Sequence, residues 1–417
     1  MTARATVPFS SRWVTAPDFV AERRRGGLAA GFRAAGVAAG IKPSGDPDLG
    51  LLVCSEPDAA SAARFTRSGA PAAPVLLCRT RCRLDALSAV VVNSGNANAA
   101  TGNRGLEDAA RMQGAGAMAA GVREDRVAVA STGVIGVPLP MDGVPGAILA
   151  AREQLSPGGD RAFWRAIATT DAFEKLLSLE VTLPSGSDRL SAQAKGAGMI
   201  QPGFATMLCF VQTDAALSAA TADLLLGVCV KRSFDRISVD GQLSTNDVAL
   251  LMASGASGVI VEPESEDELR FGEALDYALR RLAVLMVRDG EGARRVGRVL
   301  VHGGHDETVA RVARAVANSP LVKAALHGGD PNWGRIAQAV GAALHGSAPL
   351  PVDIWIEDTQ VCAAGAVRPY DERALAEAVA GEEVEYTVGL PGEGAEAEVF
   401  FSDLSHEYVT INAEYTT

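Results

Sequence analysis

At the midpoint of the chain fourteen residues read Lys195-Gly196-Ala197-Gly198-Met199-Ile200-Gln201-Pro202-Gly203-Phe204-Ala205-Thr206-Met207-Leu208. The glycines at 196, 198 and 203 permit backbone angles closed to other residues, and Pro202 fixes another, so the stretch reads as a strained turn. Directly behind it, Met207-Leu208-Cys209-Phe210-Val211 is an unbroken apolar run with the length of a buried strand. Any fold for this chain must therefore bury a strand that starts immediately after a glycine-rich turn.

The chain is long enough for more than one packed unit: it has 417 residues, and single cores stop growing near ~250–300 residues. The net charge of −12 excludes the basic stripe of a nucleic-acid binder. Arginine far outnumbers lysine, which supplies side chains suited to holding carboxylates. No stretch approaches the ~20 apolar residues of a membrane span, and residues 1–20 lack the apolar core of a signal peptide. The expectation is a cytoplasmic protein with no membrane and no nucleic-acid partner. Its six cysteines are scattered, as reduced thiols would be. Cys78 and Cys82 have no second ligand pair, and His302 and His305 are separated by glycines with no third ligand nearby, so no metal site is expected.

Short β-branched runs at 89–92 and 127–130 each end in a polar turn. Helical patterning fills about 104–121, 143–155, 161–168 and 215–232, with a long amphipathic helix over 266–288 opened by a capping box, Ser265 and Glu268. Further strands are expected at 297–303, 351–357, 384–389, 397–402 and 407–412, and helices at 306–317, 332–344 and 372–380. Asp330-Pro331 reads as a helix cap followed by proline at the first helical position. Strands interleaved with helices in this way predict a layered α/β or α+β fold.

Thr206 is the hydroxyl residue of the central segment. A threonine hydroxyl needs an adjacent base to act as a nucleophile. An internal threonine has none, whereas a chain-terminal one carries an α-amine titrating near ~7.7–8.0. The plain alternative is a Gly/Pro loop that merely leads into a strand. Elsewhere, Ser131-Thr132-Gly133 follows a strand, where a hydroxyl beside a glycine amide can aim donors at a developing oxyanion; a simple turn would look the same.

Taken together, these motifs resemble the ornithine acetyltransferase family, the glutamate N-acetyltransferases of arginine biosynthesis, from about residue 13 to the end. The resemblance rests on the segment 195–208, Ser131-Thr132-Gly133, Thr169-Thr170-Asp171 ahead of Lys175, and Asp289-Gly290-Glu291-Gly292. It also rests on Asn93–Asn98, Val239-Asp240-Gly241, Ser244–Asp247, Asp330–Arg335 and the closing Tyr408–Thr417. It implies self-cleavage into an α chain, 1–205, and a β chain, 206–417, in a fold of stacked sheets between helix layers. Thr206 would be nucleophile and base, with Thr132 and Gly133 as the oxyanion hole. Thr169, Lys195, Thr206, Glu291, Asn412 and Thr417 would bind substrate, Lys195 taking a carboxylate and Glu291 an amine. The chain departs from the family pattern at Glu174, where a proline is usual, and at Ala192 and Gln193, and both departures are expected at the pocket wall. The remaining Asn- and Asp-rich motifs are expected to close turns beside the site.

The function implied is ping-pong transfer of an acetyl group from N-acetylornithine to glutamate, with acetyl-CoA open as a further donor. No metal or prosthetic group is called for, and an (αβ)2 heterotetramer or larger assembly is implied. Three alternatives stay open at this level: a related acyltransferase acting on another acylated amine, a self-processing amidase or aminopeptidase that passes the ester to water, and a binding protein that kept the fold without the reaction.

Overall fold

The structure is a computed structural model that describes residues 9–23, 26–201, 207–392 and 394–414. The apolar run after the central turn forms the strand Leu208–Thr213, inside a six-stranded sheet. The strand order is Val20–Glu22, Lys175–Leu183, Gly186–Lys195, Leu208–Thr213, Val248–Ala253, Ala60–Phe65. All neighbours are antiparallel except Leu208–Thr213 with Val248–Ala253, and that parallel pair needs a crossover, supplied by the helix Ala219–Arg232.

Side chains alternate across a strand, and here both faces are covered. Cys209, Val211, Ala249 and Leu251 pack against the helices Ala219–Arg232 and Glu266–Arg288. Leu208, Phe210, Leu250 and Met252 face a second, four-stranded sheet. A strand buried on both faces has no polar face to show, which is why it reads as an unbroken apolar run.

The second sheet runs Phe32–Val37, Leu49–Cys54, Ala89–Asn96, Val127–Val134, with the last two parallel across the helix Gly102–Ala120. That helix and Val144–Ala151 cover it, completing a helix–sheet–sheet–helix stack. The helix Asp160–Ile167 packs against both sheets, with the Phe163 and Phe210 rings edge-on at 5.4 Å. It sits so close that a Cβ on Gly36 would lie 2.0 Å from the Ala162 carbonyl oxygen.

The C-terminal part adds a seven-stranded sheet with its own core, in the order Ile237–Ser238, Glu396–Ser402, Val296–His302, Glu383–Gly389, Asp353–Ile356, Thr359–Ala363, Ala366–Val367. The layered α/β architecture expected from the sequence is the one observed. Among the described residues no helix is long and apolar enough to cross a membrane.

Three local expectations change. Residues 407–412 are not a strand but lie in the helix His406–Glu414. The strand Glu396–Ser402 that might have recruited them is already paired on both sides, with Ile237–Ser238 and Val296–His302, and Ser405 Oγ caps a helix by accepting from Tyr408 N at 3.2 Å. Without a partner strand, the β-branched run follows its cap. The helix Trp333–Ala343 is capped by Asn332, whose side chain accepts from Arg335 N at 3.3 Å, so Pro331 stands before the cap rather than inside the helix. Ser265 Oγ does accept from Glu268 N at 3.1 Å, but the Glu268 carboxylate returns to Glu264 N, at 2.7 Å, instead of to Ser265 N.

Candidate active site

The strand Gly186–Lys195 delivers Lys195 to the end of the space between the two stacked sheets, paired with Leu208 and only 3% exposed. It is therefore not a surface lysine. Its ammonium donates to Thr169 Oγ1 at 2.7 Å and to Thr132 Oγ1 at 3.3 Å. Three motifs distant in sequence thus converge: the end of the strand Val127–Val134, the loop after the helix Asp160–Ile167, and the start of the central turn. An ammonium has donors only, so both threonine hydroxyls accept here and keep their own hydrogens free to donate.

The helix Asp160–Ile167 fixes this end of the sheets. Trp164 Nε1 donates to the Ala194 carbonyl at 2.7 Å, and Ser94 Oγ to the Ala166 carbonyl at 2.6 Å. Beneath Lys195 lies a buried ionic network. Asp171 accepts from Lys175 Nζ at 2.7 Å, from Gly196 N at 2.9 Å and from Thr169 N at 3.1 Å. Lys175 Nζ also bonds Asp289, whose carboxylate accepts from Ala172 N as well. Burial alone would raise the Asp171 pKa, but the ammonium groups of Lys175 and Lys195 hold it below the usual carboxylate range. Burial pushes Asp289 up to about 6 against the pull of Lys175, with Asp171 adding to the rise. Burial is also the main cause that lowers Lys195, opposed by Asp171 and aided by Lys175.

Two residues after Asp289, Glu291 lies against the central turn, with its backbone N–H on the Ala197 carbonyl at 3.2 Å. A Cβ on Gly198 would sit 2.7 Å from the Glu291 carboxyl carbon, so a side chain there would displace the carboxylate. Asn412 donates from Nδ2 to Glu291 Oε2 at 2.6 Å, which brings the C-terminal helix to the site. Glu291 and Asn412 therefore meet, as do Lys195, Thr169 and Thr132.

Gly133 has φ +131° and its Cα lies so near the neighbouring strand that a Cβ would be 2.3 Å from the Gly95 carbonyl carbon. The strand end is pinned by Asn246, whose Nδ2 donates to the carbonyls of Ser131 at 2.8 Å and Ala97 at 2.7 Å. Ser131 Oγ in turn donates to Asn93. The Asn-rich motifs thus serve as scaffolding.

Asp240 and Asp247 do more than close turns. Asp240 accepts from Met199 N at 2.6 Å and Ile200 N at 2.9 Å; Asp247 accepts from Met207 N at 3.0 Å. The two carboxylates thus hold the backbone at 199–200 and at 207. Ala205, Thr206 and Thr417 themselves lie outside the described residues. Asp247 is fully buried, and burial raises its pKa well above the ordinary carboxylate value against the opposing charge of Lys195. Its Oδ2 has no hydrogen-bond partner among the described residues.

Sequence reasoning missed the joint role of Asp171, Lys175 and Asp289. The signal for half of it was present, since Asp171 and Lys175 are four residues apart; the other half joins residues 114 apart. At the departures from the family pattern, two side chains have partners of their own. Glu174 pairs with Arg161 at 2.7 Å on the partly exposed side of the loop, and Gln193 accepts from Gln212 at 3.0 Å in a buried polar ladder with Ser191.

The sequence matches the ArgJ family over residues 33–417. The arginine biosynthesis bifunctional protein ArgJ of Symbiobacterium thermophilum is 44% identical over 392 residues, covering 93% of this chain and 97% of the relative. Its counterpart in Geobacter sulfurreducens is 44% identical over 390 residues, covering 93% and 99%. Among solved structures, the ornithine acetyltransferase of Mycobacterium tuberculosis in complex with ornithine is 36% identical, spanning 45% of this chain and 99% of that one with a TM-score of 0.41. With the family match running from residue 33 to the last residue and relatives this similar across more than nine-tenths of its length, the chain belongs to the ArgJ family of acetyltransferases.

Proposed function

We propose that the chain cleaves itself between Ala205 and Thr206 and then transfers the acetyl group of N-acetylornithine to glutamate by a ping-pong route. Thr206 Oγ attacks the acetyl carbonyl while its own α-amine takes the hydroxyl proton. The oxyanion is met by the Thr132 hydroxyl and the Gly133 N–H. The amine returns the proton to the departing nitrogen of ornithine, leaving an acetyl ester on Thr206. The α-amine of glutamate attacks that ester, and the same groups run in reverse. Lys195 holds a substrate carboxylate, with Thr169 beside it, and Glu291 and Asn412 with Thr417 hold the amine end. The convergence of Lys195, Thr169 and Thr132 at the start of the central turn is the observation that carries this reading.

The bifunctional designation of the relatives favours a second activity, which we assign to acetyl-CoA as an alternative donor. We place the enzyme in the cytoplasm as an (αβ)2 heterotetramer or larger assembly.

The test is the intact mass of the purified protein beside a Thr206→Ala variant, before and after N-acetylornithine. Two fragments dividing at Ala205–Thr206, with an acetyl increment on the C-terminal one, are expected; the variant should remain at full length. A wild type of single full length would overturn the reading. Acetyl-enzyme that is discharged equally with and without glutamate would move it to hydrolysis.

A further inference from the structure

A single site that releases ornithine and then accepts glutamate faces opposite charges in succession. The two amino acids share their α-carbon groups, but one ends in an ammonium and the other in a carboxylate. If Lys195 holds the shared carboxylate, glutamate brings a second negative charge that needs its own cation. Besides its arginines, the chain has five lysines. Lys175, Lys195 and Lys323 are buried, Lys231 is exposed, and Lys42 is half-buried at the edge of this site.

The Lys42 ammonium donates to the carbonyl of Ala168 at 2.8 Å and to that of Pro47 at 2.9 Å. Ala168 directly precedes Thr169, the residue that bonds Lys195. The Lys42 stem lies against Gly95, since a Cβ there would be 3.0 Å from Lys42 Cγ, and Gly95 is the register partner of Gly133. Lys42 thus touches the immediate neighbours of both Thr169 and Gly133.

Its base is rigid. The buried Asp48 accepts from Ala39 N at 2.6 Å, Ile41 N at 2.6 Å and Lys42 N at 2.9 Å, which fixes the loop. Asp48 is also the strongest opposite charge acting on the ammonium, without a hydrogen bond to it. The other charges that Lys42 feels are Asp46, Asp171 and Lys195. Asp46 is exposed and bonds Ser44; Asp171 is engaged by Lys175. No carboxylate forms an ion pair with Lys42 among the described residues. With two of its three donors on carbonyls, one N–H remains for an incoming anion.

We propose that Lys42 is the cation that receives the side-chain carboxylate of the acyl acceptor, and so sets the preference for glutamate over its neutral amide, glutamine. This rests on the transfer reading above. The loop geometry presents the ammonium in advance, so little ordering is needed on binding.

The experiment uses the full-length chain and its Lys42→Met and Lys42→Arg variants. Acetyl-enzyme formation is measured first, then transfer with acetylornithine, glutamate and glutamine each varied. A charge-assisted hydrogen bond is worth enough to raise the glutamate KM about ten- to a hundredfold in Lys42→Met. The glutamate-to-glutamine ratio of kcat/KM should fall by a similar factor. The acetylornithine KM should fall, because a cation that repels its terminal ammonium has gone. Lys42→Arg should restore part of the glutamate preference. If the KM for acetylornithine rises together with that for glutamate while the glutamate-to-glutamine ratio holds, Lys42 is only a clamp on Ala168 and the proposal fails. Absence of acetyl-enzyme in the wild type would overturn the transfer reading itself, which separates the two failures.

Discussion

Lys175 and Asp289 are joined inside the core by a hydrogen-bonded ion pair, although they are 114 residues apart and lie on opposite sides of the central turn. Asp171 shares the same ammonium, and all three side chains are shielded from solvent. The pair ties the loop carrying Thr169 to the turn carrying Glu291, so the placement of both is set by one buried charge. If the chain is cut at Ala205, this link also holds the fragments together.

Replacing Lys175 by Met should therefore destabilise the fold by about 3–5 kcal/mol, because two buried carboxylates are left without their cation. Urea denaturation of the purified protein would check this. Adding Asp289→Asn to Lys175→Met should recover part of the loss, since one of the stranded charges is then removed.

The contact between Gly198 and Glu291 gives a second prediction. A Cβ on Gly198 would stand 2.7 Å from the Glu291 carboxyl carbon and 2.8 Å from Oε2, so Gly198→Ala must push the carboxylate aside. A displacement of this order from the productive geometry costs up to about a hundredfold in rate. Steady-state kinetics should show that loss in kcat/KM, with the melting temperature moving by only a few degrees, about what 1 kcal/mol gives. Full activity in Gly198→Ala would remove Glu291 from the site.

Stability should also carry the signature of Asp188. Burial pushes this carboxyl up to about 7, eased by the Thr213 hydroxyl that donates to Oδ2 at 2.9 Å and raised further by Asp214. The folded chain keeps a proton that the unfolded chain releases near ~3.9, so between that pH and about 7 the folded state binds more protons. This group's contribution is then greatest at low pH and declines as pH rises to about 7, by an amount on the order of 4 kcal/mol. Asp188→Asn removes the decline. Melting curves against pH should show the variant gaining on the wild type from pH ~4 upward and the gap levelling off above ~8. A constant gap across that range would mean that Asp188 is ionised in the fold at all these values.

Much of the architecture was legible along the chain because it depends on neighbours in sequence. The helix Glu266–Arg288 starts at its Ser265 cap, and the strand Leu208–Thr213 shows the unbroken apolar run of an element buried on both faces. The short helices Ala73–Arg81 and Pro320–Gly328, each with a proline in its first two positions, were not anticipated, since nine residues carry little periodic signal. Tyr408–Asn412 looked like a strand by composition, but strand formation needs a free edge, and the pairing of Ile237–Ser238 with Phe400–Phe401 had already used it.

The sequence by itself determined which hydroxyl, carboxylate and ammonium groups the chain carries and in what order, because these groups keep their character wherever the chain places them. Its resemblance to the family singled out Thr132, Thr169, Lys195, Glu291 and Asn412 as candidates. Only the tertiary structure decided that Lys195 bonds two threonines at once, that Asp240 and Asp247 hold the backbone at 199–200 and at 207, and that Lys42 stands beside Gly95. These relations depend on how separate strands, loops and helices stack. A buried charge takes whichever partner the packing brings within hydrogen-bond reach, and no spacing along the chain encodes that choice.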